Sequence, residues 1–259
     1  MSLIGIIGCM ILIVASLAMS DTMDAFLDLY YNGASNYSSR IYLAEDATEE
    51  ARKAILKKYD GDWSTSISVQ IAEKAVSLDI YEVEHDKVRF PDEQSNYISL
   101  GDNGAWICMR LADEFDLSAG DTFDVSPYGS DKTYTLKLAG IIRSVSENIV
   151  ISPEYAKQLG IPYTISSVYT DTEKSDIVSD DAIKSVQSKQ AIMDSFDTFT
   201  DIMNSMIFVL IAGALLLGVV VLYNLGVMSY TERYREMATL KVVGFKDKKI
   251  GKLLIGQNL

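Results

Sequence analysis

Twenty-nine consecutive residues without a charge, Ile202 to Tyr230, constrain this chain more than any other feature. A helix of about 20 apolar residues reaches across the hydrocarbon core of a bilayer, so the stretch predicts a membrane span. The segment after Tyr230 differs sharply in character. Thr231 to Leu259 holds seven bases (Arg233, Arg235, Lys241, Lys246, Lys248, Lys249 and Lys252) against three acids (Glu232, Glu236 and Asp247), a net of +4. Ser229 and Glu232 have the spacing of a capping box, in which hydroxyl and carboxylate satisfy orphan backbone N–H groups. They predict a new, short helix that ends at Gly244, a residue suited to the left-handed cap. Ile250 to Leu259 turns apolar again and reads as the start of a further span.

The basic segment carries a pattern: Glu232-Arg233-x-Arg235-Glu236-Met237-x-x-Leu240-Lys241-x-x-Gly244. It resembles the cytoplasmic coupling segment of FtsX-like (MacB-type) ABC transporter permeases, which comes after an extracytoplasmic domain and a membrane span. The resemblance implies that Glu232, Arg233, Arg235, Glu236, Met237, Leu240, Lys241 and Gly244 dock on a separate ABC ATP-binding subunit. Met237 and Leu240 would enter a groove on that subunit, and Glu232 would double as the helix cap. It also implies a dimer of permease halves and an extracytoplasmic protein, lipid or peptide partner. On charge alone, the same segment reads as a basic helix resting on anionic membrane lipid.

Charge is partitioned along the chain. Ser2 to Ser20 is uncharged, whereas Asp21 to Asp201 holds 33 acids and 16 bases, a net of −17. Short basic flanks stay in the cytoplasm and acidic domains translocate readily, so the middle is expected outside and the tail inside the plasma (inner) membrane. The acidic excess excludes nucleic acid as a partner, because phosphate binding needs clustered Lys and Arg.

Met1 to Met19 is apolar. At 1.5 Å per residue it spans ~27 Å as a helix, adequate for a tilted crossing. A signal peptide would carry a basic start, which is absent here, although Ser16-Leu17-Ala18 has the size pattern of a cleavage site. The first span is therefore expected to be a transmembrane helix, and the chain a piece of a larger permease. Met23, Phe26, Leu27 and Tyr30 keep helical spacing, predicting that the helix runs on as a stalk.

The middle reads as α/β. Strands are expected at Arg40 to Leu43, at Ser64 to Val83 (two, joined around Glu73-Lys74), at Tyr97 to Leu100, at Thr133 to Ile142 and at Asn148 to Ser152. Gly120-Asp121 turns into another strand, and Tyr163 to Thr170 is β-rich. Helices are expected at Thr48 to Tyr59, capped by Thr48, at Trp106 to Phe115, and at Glu154 to Leu159, opened by Pro153. Asp176 to Asp201 reads as a polar helix returning to the membrane, and Ala214-x-x-x-Gly218 as a surface for close helix approach. The run from Leu117-Ser-Ala-Gly120-Asp121 through Ala139-Gly140-Ile141 to Ile149–Ser152 also resembles, more loosely, the outer domain of the same family.

No Gly-x-x-x-x-Gly-Lys-Ser/Thr loop is present, so ATP binding by that route is excluded. There is no Gly-x-Ser-x-Gly elbow. One histidine, His85, and the cysteines Cys9 and Cys108 make no metal site at a recognised spacing. His85 sits in a charged run and reads as a solvated surface residue. The chain is thus expected to be no enzyme and to hold no cofactor. Its expected layout is a first transmembrane helix over 1–20, an extracytoplasmic α/β domain of the MacB-like periplasmic core type over 21–201, a second transmembrane helix over 202–228, a cytoplasmic coupling helix over 229–245 and the start of another span over 246–259. The alternative is a two-span sensor with an extracytoplasmic ligand-binding domain, although a sensor's tail would continue as a long signalling helix.

Overall fold

The computed structural model describes residues 2–130 and 132–242. Gly244 and the further span expected over 246–259 lie outside the described residues. The chain forms two units: Asp24–Thr198, and Met1–Met23 together with Phe199–Leu259.

The first unit is built on a strand that serves two neighbours. β2 (Asp62–Ile71) turns at Ala72-Glu73 into β3 (Lys74–Tyr81), and the hairpin runs in register from Ser64 opposite Tyr81 to Ile71 opposite Lys74. On its other edge, the first residues of β2 pair with β10 (Ser167–Thr170), while Val69 and Gln70 pair with β7 (Thr122–Pro127). β6 (Ala105–Cys108), β8 (Tyr134–Ile142) and β9 (Asn148–Ile151) complete a ring in the order β2-β3-β9-β6-β8-β7 and back to β2. A ring has no free edge, and its inward positions alternate with outward ones. Accordingly Val76, Leu78 and Ile80 of β3 are buried while Ala75 is exposed. Ile107, Val125, Leu136, Leu138, Ile149 and Ile151 are also fully buried. Each such side chain contributes roughly 1.5–3 kcal/mol relative to exposure, so this interior is what holds the unit together.

Beside the ring, the sheet continues as an open wing. β10 pairs with β1 (Ser39–Leu43), and β1 pairs with β11 (Ile183–Ser188). β4 (Phe90–Pro91) and β5 (Tyr97–Ile98) make a separate two-stranded ribbon. α2 (Glu49–Tyr59) starts as its sequence predicts, with Thr48 Oγ1 accepting from the Ala51 N–H at 3.3 Å. Its buried Arg52 donates to the carbonyls of Ala44, Glu45, Ala47 and Ile165, so a guanidinium without a carboxylate partner ties α2 to the sheet. α4 (Pro153–Leu159) begins with Pro153 at its first turn, Ser152 as cap and Gly160 as the left-handed stop.

Three elements differ from the sequence expectation. Trp106 to Cys108 is strand β6, and the helix α3 is confined to Met109–Glu114. Pairing with β8 and β9 overrides the helical spacing of the apolar residues, and the Trp106 ring packs so close to Gly140 that a Cβ there would meet it at 2.3 Å. Second, Asp176 to Ser188 is not helical. Lys174–Asp176 is a 3₁₀ turn, Ile183–Ser188 is β11, and α5 begins only at Lys189. A bulge opposite Tyr42 and Leu43 lets both Ile183 and Val186 pack on the core. Their separation of three residues therefore imitates a helix.

Third, no helix starts at Ser229. α5 (Lys189–Val242) runs without a break through the charge-free stretch into the basic segment. A backbone already helical leaves no orphan N–H groups for a capping box to satisfy.

α1 (Ser2–Leu27) is helical throughout; its end and the π-helical turn over Asp28–Gly33 that succeeds it belong to the first unit, and its residues up to Met23 belong to the second. Among the described residues one helix is long and apolar enough to cross a membrane, α5 over Lys189–Met228, whose apolar stretch is only 6% buried. Phe208, Val209, Leu216 and Tyr223 expose most of their surface, as do Met10 and Val14 of α1. Within this unit Ser20 Oγ donates to Asn204 Oδ1 at 3.4 Å. Ala214 is buried, whereas Gly218 faces open space, so only half of the small-residue pair is in close contact.

Candidate functional site

The segment singled out by sequence lies on α5. Glu232, Arg233, Arg235, Glu236, Met237, Leu240 and Lys241 all fall on its continuous backbone, while Gly244 is outside the described residues. Positions 233, 236, 237, 240 and 241 recur at steps of three and four residues, and helical geometry brings them to one side.

His85 is half-exposed and has a defined partner. Asp62, fully buried, accepts from the backbone N–H groups of His85 and Lys87 at 2.8 Å each, and lies 3.1 Å from His85 Nδ1. A carboxylate satisfied by two backbone donors orders the loop after β3, while the His85 side chain itself is at the surface, as its charged run predicts. Cys108 is a free, buried thiol on β6.

The sheet also assembles a cleft that sequence spacing does not reveal. About 440 Å³ in volume, it lies within the Asp24–Thr198 unit. One wall comes from the end of α1 and the π turn, another from the first residues of α5: Phe26 and Phe196 have ring centroids 6.1 Å apart, and Tyr31 and Phe196 5.1 Å. The two walls are tied by Lys189, whose backbone N–H donates to the Ser38 carbonyl at 2.9 Å and whose Nζ donates to the Ser35 carbonyl at 2.7 Å. Burial pushes the Lys189 ammonium down from its ordinary value.

The floor is the wing of the sheet. Tyr37 and Tyr169 pack edge to face at 5.0 Å, and Tyr81 stacks on Tyr169 at 6.1 Å. Burial raises all three phenols, Tyr37 to about 12. The Arg40 guanidinium carbon lies 5.1 Å from the Tyr169 centroid and 4.5 Å from that of Tyr42. Such stacking offsets part of the penalty of taking a cation out of water. One Nη of Arg40 donates to Ser167 Oγ at 3.1 Å, while its Nε is buried with no hydrogen-bond partner.

Arg143 and Arg89 line the same cleft. Arg89 is paired with Asp86, whereas Arg143 donates only to Ser95 Oγ, at 3.3 Å, through its side chain. Among the described residues neither Arg40 nor Arg143 forms a salt bridge. Asp79 is the single acid in the lining, and both its oxygens are occupied, by Ser77 Oγ at 2.6 Å and Asn148 Nδ2 at 2.8 Å. Arg40 and Arg143 are far apart in sequence, on strand β1 and beyond strand β8, and only the order of strands makes them neighbours of one cavity.

Comparison with known proteins returns a family and several folds. Residues 208–259 match the family model described as FtsX-like permease C-terminal. Among solved structures, the periplasmic region of MacB from Actinobacillus actinomycetemcomitans aligns at 10% identity and a TM-score of 0.39, covering 66% of this chain and 95% of that one. The extracellular domain of the noncanonic ABC-type transporter YknZ from Gram-positive bacteria aligns at 16% identity and 0.35, covering 53% and 84%. A domain of a putative permease protein from Porphyromonas gingivalis aligns at 10% identity and 0.26, covering 56% and 59%. No curated protein matches the chain.

Proposed function

We propose that this chain, whose residues 208–259 match the family model described as FtsX-like permease C-terminal, is a membrane-spanning subunit of an ABC-type transport system. In this reading α1 and α5 cross the plasma (inner) membrane, the Asp24–Thr198 unit faces outward, and the basic end of α5 faces the cytoplasm. ATP is bound and hydrolysed by a separate subunit, which engages Arg233, Glu236, Met237, Leu240 and Lys241 on one side of α5, with Glu232, Arg235 and Gly244 at its margins.

The observation that carries the reading is the continuity of α5. One helix starts at the edge of the outer sheet, passes through the uncharged stretch and continues into the basic motif. A helix is stiff along its axis, so displacement of the basic end is transmitted to its other end without a channel through this chain. The charge distribution supports the orientation, +4 in the tail against −17 over Asp21 to Asp201. The exposed apolar side chains of α5 support lipid as its solvent, since water would leave a large apolar surface uncovered.

The test is co-purification of the full-length protein with an ABC ATP-binding subunit, for wild type, Glu236→Lys and Gly244→Pro, with membrane insertion checked for each. Retention by wild type and loss by both inserted variants is the expected result. If wild type retains no ATP-binding subunit, the permease reading falls.

A further inference from the structure

We propose that the cleft between the end of α1, the start of α5 and the sheet wing binds an anionic amphiphile: a phosphate or carboxylate carried on an apolar body, of the kind presented by an acidic lipid.

Charge points to an anion. Asp21 to Asp201 has twice as many acids as bases, yet of its 33 acids only Asp79 reaches this cleft, beside three arginines. Asp79 is engaged by Ser77 and Asn148, which leaves Arg40 and Arg143 without a carboxylate among the described residues. Arg89 is ion-paired, and Arg52 and Arg110, which are not, donate to backbone carbonyls, whereas Arg40 and Arg143 donate through their side chains to a single serine hydroxyl each. A guanidinium is a planar fork that matches phosphate and carboxylate oxygens, and it stays charged when partly desolvated.

The walls point to an apolar body. Beside the arginines and polar residues such as Ser144, Asn148 and Gln187, the lining sets Phe26, Phe196 and Tyr31, an apolar wall that a free inorganic anion would not use. Its volume falls within the roughly 300–1,000 Å³ typical of small-molecule sites. Its place along the chain agrees. On α5, Phe196 precedes Ile202, the first residue of the uncharged stretch, by six residues, about 9 Å along the helix axis.

Stacking of Arg40 on Tyr42 and Tyr169 is a structural role in its own right, but it does not account for Arg143, which is exposed and, among the described residues, stacked on no ring. The proposal rests on the Asp24–Thr198 unit and not on engagement of an ATP-binding subunit, so the two can fail separately.

The experiment is a native mass-spectrometry titration of the full-length chain in a non-ionic detergent with dihexanoyl phosphatidylglycerol, dihexanoyl phosphatidylcholine and inorganic phosphate. Wild type is expected to bind phosphatidylglycerol saturably, at least tenfold more tightly than phosphatidylcholine, and phosphate at least tenfold more weakly still. Arg143→Gln, at an exposed position that leaves the fold intact, is expected to bring phosphatidylglycerol to within threefold of phosphatidylcholine. Arg40→Gln should do the same, and Lys132→Gln, on the turn between β7 and β8, should change nothing. Equal binding of the two lipids by wild type, or undiminished phosphatidylglycerol binding by Arg143→Gln, overturns the proposal. So does phosphate binding as tight as phosphatidylglycerol, which would make the site one for a free anion.

Discussion

The two units solve opposite problems with similar residues. In the sheet unit, Leu78, Ile107 and Ile149 are apolar and wholly hidden; in the helical unit, Leu216, Val219 and Leu222 are equally apolar and mostly bare. The sheet unit satisfies its backbone across strands and must close a ring to avoid open edges, whereas α5 satisfies its backbone within itself and can leave its side chains to the solvent. The comparison teaches that hydrophobicity alone does not say where a residue ends up. The period of the pattern and the solvent that faces it decide.

The largest effect should come from treating the same residue alike in both settings. Leu78→Ala is expected to destabilise the sheet unit by roughly 2–5 kcal/mol, the transfer loss plus the cavity it leaves. Leu216→Ala, in detergent, should move the unfolding transition of that unit hardly at all. Chemical denaturation followed by tryptophan fluorescence reads both, since Trp63 and Trp106 lie in the sheet. Equal losses would abolish the distinction between the units.

A charge sharpens it from the other side. Leu216→Asp is expected to cost roughly 3–4 kcal/mol of membrane insertion, measured as the fraction of chains integrated. If α5 is instead surrounded by water, the same change will be neutral.

The cleft gives a pH signature confined to the sheet unit. Tyr37 has its phenol raised from 10.0 to about 12 by burial, and Tyr81 and Tyr169 move the same way. A raised folded value means that stability is complete below pH 10 and is lost as pH climbs from 10 to about 12, because the unfolded chain ionises first. Tyr37 alone should contribute about 3 kcal/mol to that loss. Tyrosinate absorbance tracked together with unfolding midpoints will show it, and Tyr37→Phe should flatten the slope. The smallest effect is at the α2 cap, where Thr48→Ala should lower stability by ~1 kcal/mol in thermal unfolding.

What could be read from the sequence was whatever depends on near neighbours. The β2–β3 hairpin shows in the alternation of Ile67, Val69 and Ile71, then Val76, Leu78 and Ile80 around Glu73-Lys74, and the starts of α2 and α4 show in Thr48 and Pro153. β6 was hidden because Trp106 and Ile107 are as apolar as a helix face, and its strand state comes from β8 and β9. β11 was hidden because a bulge disguises its period. Ser229 misled because Ser-x-x-Glu marks a helix start only where the backbone is not already helical. The basic motif is legible because it is local. The arginine cleft is not, because Arg40 and Arg143 meet only through strand order.

The joint between β11 and α5 has a mechanical consequence. Ser188 is the last residue of the strand and Lys189 the first of the helix, with no linker between them and both Lys189 nitrogens held by the chain leading into β1. Such a joint has no slack. If α5 turns about its axis by one residue step, about 100°, no loop takes up the twist. The motion has to be absorbed by peeling or re-registering β11 on β1, at the one place where that edge already carries a bulge. Strand and helix are thus one unbroken segment, and the β1–β11 hydrogen bonds are the first to meet a twist applied at Lys189.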